Sequence, residues 1–260
     1  MRIKAFAKIN LNLKILNKLP NGYHEIHSIF QAVDIYDMIS IFKEQKDFHL
    51  TGSIVCSLRE NLISKAKRAL ELFVGRSLPC RIHLIKNIPV SAGLGGGSSD
   101  AAATLIGLNK LYGLNLSLKQ LVKIALRVGS DVPFFISNIG TALVKGTGEE
   151  VESVRRKLSP FYVLARLHKR ISTSEMYSLF DEHGKTFSEL IQEICPDVKK
   201  IYSYFCPVSN ECGISGSGPT MFAGFNSYSE ALKRIEGFGF EKFKGDFFIC
   251  KPSQKTYVIQ

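Results

Sequence analysis

The chain has 260 residues, 45% hydrophobic and 22% charged, with 34 Lys+Arg against 23 Asp+Glu and a net charge of +11. That length suits one large domain or two modest ones sharing a cleft, and the ordinary composition excludes a fibrous or low-complexity chain. No apolar run is long enough to span a bilayer and no secretory or transit pattern precedes the first strand-like segment, so a soluble cytoplasmic protein is expected, with a mature organellar form left open.

Six cysteines (Cys56, Cys80, Cys195, Cys206, Cys212, Cys250) are scattered. They form no C-x-x-C pair and no Cys/His cluster at zinc spacing, and free thiols are expected. The positive charge fits either a nucleic-acid surface or a field that steers polyanionic small molecules. Because the basic residues are spread along the chain, as in Lys65–Arg68 and Arg155–Lys157, charge alone does not choose between them.

From Ile3 to Ile15 the odd positions are apolar and the even positions carry Lys4, Phe6, Lys8, Asn10, Asn12 and Lys14. Period-two alternation predicts a strand with one buried face, and puts Lys8, Asn10 and Asn12 together on the other. Pro20-Asn21-Gly22 marks a turn, followed by strand-like segments near Ile26–Val33, Met38–Phe42 and Phe48–Leu50. Asn61 is a helix cap with Gly75 as the stop. A strand over Cys80–Ile85 precedes a glycine-rich loop, then a helix from Ser98 to about Tyr112 and another from Ser117 to Arg127. Strands near Thr141–Val144 and Tyr162–Leu167 follow. The C-terminal part carries helical stretches, a second glycine-rich turn at Gly213–Pro219, a helix near Glu230–Ile235 and a strand at Phe247–Cys250. Strands and helices mix without strict β-α-β alternation, which predicts an α+β fold. The expected domains are 1–158 and 159–260.

The first glycine loop reads Pro89-Val90-Ser91-Ala92-Gly93-Leu94-Gly95-Gly96-Gly97-Ser98-Ser99. Glycine allows backbone torsions that turn N–H groups inward, and the following helix adds unpaired N–H groups and a positive dipole end. The loop is therefore a candidate anion cradle, with Ser98 and Ser99 available to cap the helix or meet phosphate or magnesium water. No Gly-Lys-Ser/Thr follows, so it is not a Walker A loop, and Ser98 stands where the dinucleotide fingerprint needs glycine. A plain surface turn before a capped helix explains such a loop equally well. The second loop, Ser215-Gly216-Ser217-Gly218-Pro219-Thr220, favours a phosphate chain gripped from two sides.

Phosphoryl transfer needs positioning, charge neutralisation and an acceptor for the hydroxyl proton. Lys8 and Asp131 are the candidates. Taken singly, Lys8 reads as a surface charge and Asp131 as a turn or helix-cap aspartate. If they meet, the lysine favours the ionised carboxylate and can orient a hydroxyl. Tyr23 and His24, after the Asn21-Gly22 turn, offer rings that can stack on a base or pack beneath the turn. Asp100 suits the helix dipole as well as it suits a metal.

These blocks, in order, resemble those of the GHMP kinases, the family named for galactokinase, homoserine kinase, mevalonate kinase and phosphomevalonate kinase. They are Ala7–Leu13, Asn21–His24, Pro89–Leu105, Gly129–Phe134 and Ser215–Thr220. The resemblance spans nearly the whole chain, and the extra glycines of Gly93–Ala102 point to members whose acceptor is a cytidine diphosphate derivative. It implies a two-domain fold with the active site in the cleft between the domains, ATP and Mg2+ as cofactors, and ATP binding along Pro89–Ser99. It further implies Asp131 as general base, Lys8 as the group that orients the hydroxyl, and substrate contacts from Asn10, Tyr23, His24, Thr173, Gly216, Ser217 and Gly218. Ser99 is a weak metal candidate. A small-molecule partner is expected, and neither nucleic acid nor membrane. The alternatives are a GHMP kinase for another small alcohol, or a catalytically silent nucleotide- or RNA-binding relative; the presence of both Lys8 and Asp131 argues against the latter.

Overall fold

The computed structural model describes residues 1–260 apart from 21, 170 and 240–242. Strands β1 (Arg2–Lys18) and β2 (His24–Lys43) form a long antiparallel ribbon. Around it a seven-stranded sheet is completed by β3 (Phe48–Gly52), β4 (Cys80–Ile85), β5 (Thr141–Gly146), β6 (Glu150–Ser153) and β11 (Tyr257–Ile259). The segments expected at Ile26–Val33 and Met38–Phe42 are one strand, β2. Its pairing with β1 jumps from Phe6↔Tyr36 to Ala7↔Val33, leaving Asp34 and Ile35 outside the ladder. One half of β2 pairs with β5 and the other with β4.

A second irregularity corrects the reading of β1. The register runs Asn10↔Phe30 and then Asn12↔Ile29, so Leu11 is an extra residue. A bulge of one residue moves every later side chain to the other face. Lys8 and Asn10 stay together and buried, whereas Asn12 turns away and accepts from the Ile29 N–H at 2.8 Å. Leu13 takes the place beside them and lines the cleft.

Helices α1 (Leu62–Val74), α2 (Gly96–Leu111), α3 (Leu118–Ala125) and α4 (Val132–Ser137) pack on this sheet. Asn61 caps α1 by accepting from the Ile63 N–H, and Gly75 ends it in the left-handed conformation. Ser117 and Gln120 close a capping box on α3. Helix α2 is buried without a break from Ser99 to Leu108, as befits a helix apolar all round. It begins earlier than its serines suggest: Gly95 is the N-cap and makes no side-chain bond, so Ser98 and Ser99 lie inside the first turn.

The second lobe is an antiparallel sheet of β7 (Phe161–Leu167), β8 (Cys212–Ile214), β9 (Thr220–Phe225) and β10 (Gly245–Cys250), ordered β10-β7-β9-β8. Helices α5 (Thr173–His183), α6 (Phe187–Ile194), α7 (Pro196–Phe205) and α8 (Tyr228–Glu236) accompany it around a core including Val163, Ile191, Ile201, Phe205 and Met221. A separate apolar cluster joins the lobes: Ala7, Ile9 and Val33 of the first sheet meet Tyr162, Leu164 and Phe222 of the second. The chain then returns, and β11 pairs with β1 through Ile3↔Ile259. The expected second domain, 159–260, thus gives its last strand to the first sheet.

Cys206 and Cys212 form a disulfide, which corrects the expectation of six free thiols. A one-turn 3-10 helix at Cys206–Val208 and the start of β8 bring their Cα atoms to 5.4 Å. Among the described residues no helix is long and apolar enough to cross a membrane.

Candidate active site

A cleft of about 910 Å³ lies between the lobes. Pro89 to Ser98 line one end of it. The loop is fixed to β1 by the Lys8 N–H, which donates to the Leu94 carbonyl at 3.0 Å. Its glycines answer to close packing as well as to torsion. At Gly93 (φ +72°) a Cβ would stand 2.2 Å from the Ser215 carbonyl oxygen. At Gly95 (φ +68°) it would stand 2.9 Å from the Phe135 ring and 3.0 Å from Lys8 Cγ. Side chains at either place would push the cradle off its neighbours. Ser99 is the exception within the expected set: it is buried, does not line the cleft, and donates to the Phe6 carbonyl at 2.7 Å. Its hydroxyl proton is committed to β1.

The second loop touches the first. Buried Ser215 donates from Oγ to the Gly93 carbonyl at 2.9 Å and accepts from the Asn10 N–H at 3.4 Å. Gly216 and Ser217 line the cleft, and Ser217 Oγ lies 3.0 Å from Thr173 Oγ1 at the start of α5. Gly218 does not line it; a Cβ there would strike Ile191 Cδ1 at 2.1 Å, so this residue packs on α6.

At the middle of the cleft, Lys8 Nζ lies 3.3 Å from Asp131 Oδ2. Lys8 is 3% exposed, donates to Asn10 Oδ1 at 2.6 Å and sits over the Phe30 ring. Asn10 Nδ2 in turn donates to Ser28 Oγ at 3.1 Å, which fixes the amide's orientation. Asp131 immediately precedes α4 yet makes no capping bond. Its carboxylate is spent on Lys8 and the cleft rather than on the helix.

At the far end, Tyr23 is 62% exposed on the rim while His24 is buried. The His24 ring stacks on Tyr177 at 4.7 Å and 18°, meets Phe180 edge-on, and places Nε2 2.6 Å from Asp181 Oδ1. Lys18 donates to Asp181 Oδ2 at 2.5 Å. Hydrogen bonds from Lys18 and His24 hold the Asp181 carboxyl below its ordinary range. Burial, and then the Asp131 charge, push the Tyr177 phenol up to about 12. Asn21, from the Asn21–His24 block, lies outside the described residues.

Tyr177 and Asp181 are absent from the sequence reading. The signal was available: a helix capped by Ser172 puts Thr173, Tyr177 and Asp181 four apart on one face. Lys86, which lines the cleft, was also missed. Its ammonium lies 2.5 Å from Asp37 Oδ2 and 2.7 Å from Asp100 Oδ2. Burial works against this ammonium, but the Asp100 and Asp37 charges outweigh it and raise its pKa. Burial, helped by the Asp37 charge, raises the Asp100 carboxyl to about 8 against the pull of Lys86. Among the described residues no three His, Cys, Asp or Glu stand together as a metal cage.

Residues 61–138 match the model of the GHMP kinases N terminal domain. With the lobed fold, the glycine cradle and the lysine–aspartate pair, this makes the protein a small-molecule kinase of the GHMP class, with ATP as phosphate donor. A solved structure of 4-(cytidine 5′-diphospho)-2C-methyl-D-erythritol kinase is 25% identical, with a TM-score of 0.79 over 97% of this chain and 99% of that one. Homoserine kinase from Cytophaga hutchinsonii shares the fold, with a TM-score of 0.72 at 16% identity over 99% and 96% of the two chains. The 4-diphosphocytidyl-2-C-methyl-D-erythritol kinase of Caldicellulosiruptor saccharolyticus is 35% identical over 91% of this chain and 92% of its own. That of Carboxydothermus hydrogenoformans is 35% identical over 97% and 96%. The chain belongs to the 4-diphosphocytidyl-2-C-methyl-D-erythritol kinase family.

Proposed function

We propose that the protein transfers the γ-phosphate of Mg-ATP to the 2-hydroxyl of 4-diphosphocytidyl-2-C-methyl-D-erythritol, in the non-mevalonate route to isoprenoid precursors. The Asp131 carboxylate accepts the hydroxyl proton as the oxygen attacks the γ-phosphorus, and the bond to the β-phosphate oxygen breaks to leave ADP. Lys8, held by Asn10 and Asp131, orients the hydroxyl and offsets charge as it develops. The observation that carries this reading is the Lys8–Asp131 pair at 3.3 Å, lying between the glycine cradle and the aromatic end of one cleft.

The adenosine triphosphate lies along Pro89–Ser98, whose glycine backbone and helix N-terminus suit phosphate. The cytosine lies at Tyr23, His24 and Tyr177, where one ring is exposed on the rim and the other two are stacked. Thr173, Gly216 and Ser217 face the diphosphate between them. Both ligands are polyanions, and the net charge of +11 favours their approach.

The test is ADP release by the purified protein with Mg-ATP and, in parallel, the cytidyl diphosphate compound, mevalonate or homoserine. Turnover with the cytidyl compound alone is expected. Turnover with another alcohol would keep the kinase and discard the role given to His24 and Tyr177. No turnover with any, in a folded protein that binds ATP, would favour a silent relative.

A further inference from the structure

Asp37 is 0% exposed, lies on β2, and touches neither the cleft nor the Lys8–Asp131 pair. Its two oxygens grip three consecutive residues of another segment. Oδ2 accepts from Lys86 Nζ at 2.5 Å, and Oδ1 accepts from the Asn87 N–H at 2.6 Å and the Ile88 N–H at 2.8 Å. The Asn87 side chain adds a bond to the Tyr36 carbonyl at 2.9 Å. These three residues are the ones that lead directly into Pro89–Ser99.

The same lysine also reaches the far side of the loop. Lys86 Nζ donates to Asp100 Oδ2 at 2.7 Å, and Asp100 is the residue that follows Ser99 on α2. One ammonium thus ties together the segments before and after the loop, and Asp37 ties that ammonium to the central sheet. A buried carboxylate with three donors is costly to desolvate, and its bonds are charge-assisted and short. Gly96 and Gly97 belong to α2, but Gly93 and Gly95, both at positive φ, leave the turn before the helix little rigidity of its own.

We infer that Asp37 is a positioning residue for the nucleotide loop, acting through Lys86 to clamp the loop's two ends in the geometry that receives the triphosphate. The inference rests on the reading of Pro89–Ser99 as the ATP loop. It assigns Asp37 no contact with substrate: its effect falls on ATP affinity, and the Lys8–Asp131 chemistry at saturation is left nearly as it was. The Lys86 ammonium, held between Asp37 and Asp100, serves first as the pin of this clasp.

Asp37→Asn is the direct test. The amide oxygen can still accept from Asn87 and Ile88, but its NH2 faces the Lys86 ammonium, so the ionic arm alone is broken. Expected are a rise of about tenfold or more in the KM for ATP, and in the Kd of a non-hydrolysable ATP analogue. kcat at saturating ATP and the KM for the alcohol should each stay within about threefold. In a Lys86→Met background the same substitution should add less than about threefold, since the two residues act as one unit. An Asp37→Asn protein that binds the analogue as wild type does, or that loses both substrates equally, would overturn the inference. If Asp37→Asn does not fold, Asp100→Asn decides at about pH 9, where the wild-type carboxyl is ionised: unchanged analogue affinity there would overturn it, and a similar selective loss supports it. Failure of the wild type to bind the analogue would instead overturn the reading of the loop itself.

Discussion

Ser215 Oγ donates to the Gly93 carbonyl at 2.9 Å, binding the second glycine loop to the first from the opposite lobe. The two loops therefore form one wall. The Ser215 side chain is buried, and the same hydroxyl serves the buried Asn10 N–H. Ser215→Ala takes this partner from the buried Asn10 N–H and from the partly buried Gly93 carbonyl, a loss of about 1–3 kcal/mol. Urea unfolding should show that loss, and the KM for ATP should rise severalfold as Gly93 loses its anchor. An unchanged unfolding midpoint together with an unchanged KM would mean the loops hold their places independently.

Asp131→Asn keeps the shape of the side chain and removes its basicity. A fall in kcat of ~10²-fold or more is expected, the usual scale for a positioned base. The Kd for ATP should move little, because the cradle is held by the Lys8 N–H, Ser215 and Asp37 rather than by Asp131. Single-turnover measurements separate the two quantities, and an unaltered chemical step would take Asp131 out of the mechanism.

Tyr177 stacks on His24 and also meets Phe187 edge-on at 5.0 Å. Base–aromatic stacking is worth ~1–3 kcal/mol. Tyr177→Ala should therefore raise the KM of the cytidyl substrate about tenfold or more, while the KM for ATP, bound at the other end of the cleft, stays near that of wild type. Tyr177→Phe should restore most of the affinity. Equal losses for both substrates would show that the ring supports the fold rather than the base.

Asp100 has its carboxyl raised to about 8 in the folded protein, from an ordinary value of 3.8. Between these values the folded state binds more protons than the unfolded one, so stability falls as pH rises from about 4 to about 8. Asp100→Asn cannot titrate. The stability difference between wild type and variant should accordingly shift against wild type across that interval, as read by unfolding at several pH values. A pH-independent difference would mean Asp100 keeps its charge throughout, balanced by Lys86.

Sequence alone determined the parts whose signal is local. The glycine runs, the caps at Asn61 and Ser117, the alternation in β1 and the blocks around Lys8 and Asp131 depend on a residue and its near neighbours. The family followed from the order of those blocks. Tertiary structure decided what depends on register and on which strands lie side by side. Only pairing with β2 reveals that Leu11 is an extra residue, and hence that Leu13, not Asn12, shares the cleft with Lys8. The return of β11 to β1 rests on three residues, too few for periodicity to register. The Cys206–Cys212 disulfide depends on a turn that composition does not specify. Asp37 is the plainest case: in the sequence it is one acidic residue in a strand, and only the placement of β2 beside β4 sets its carboxylate against the residues that open the nucleotide loop.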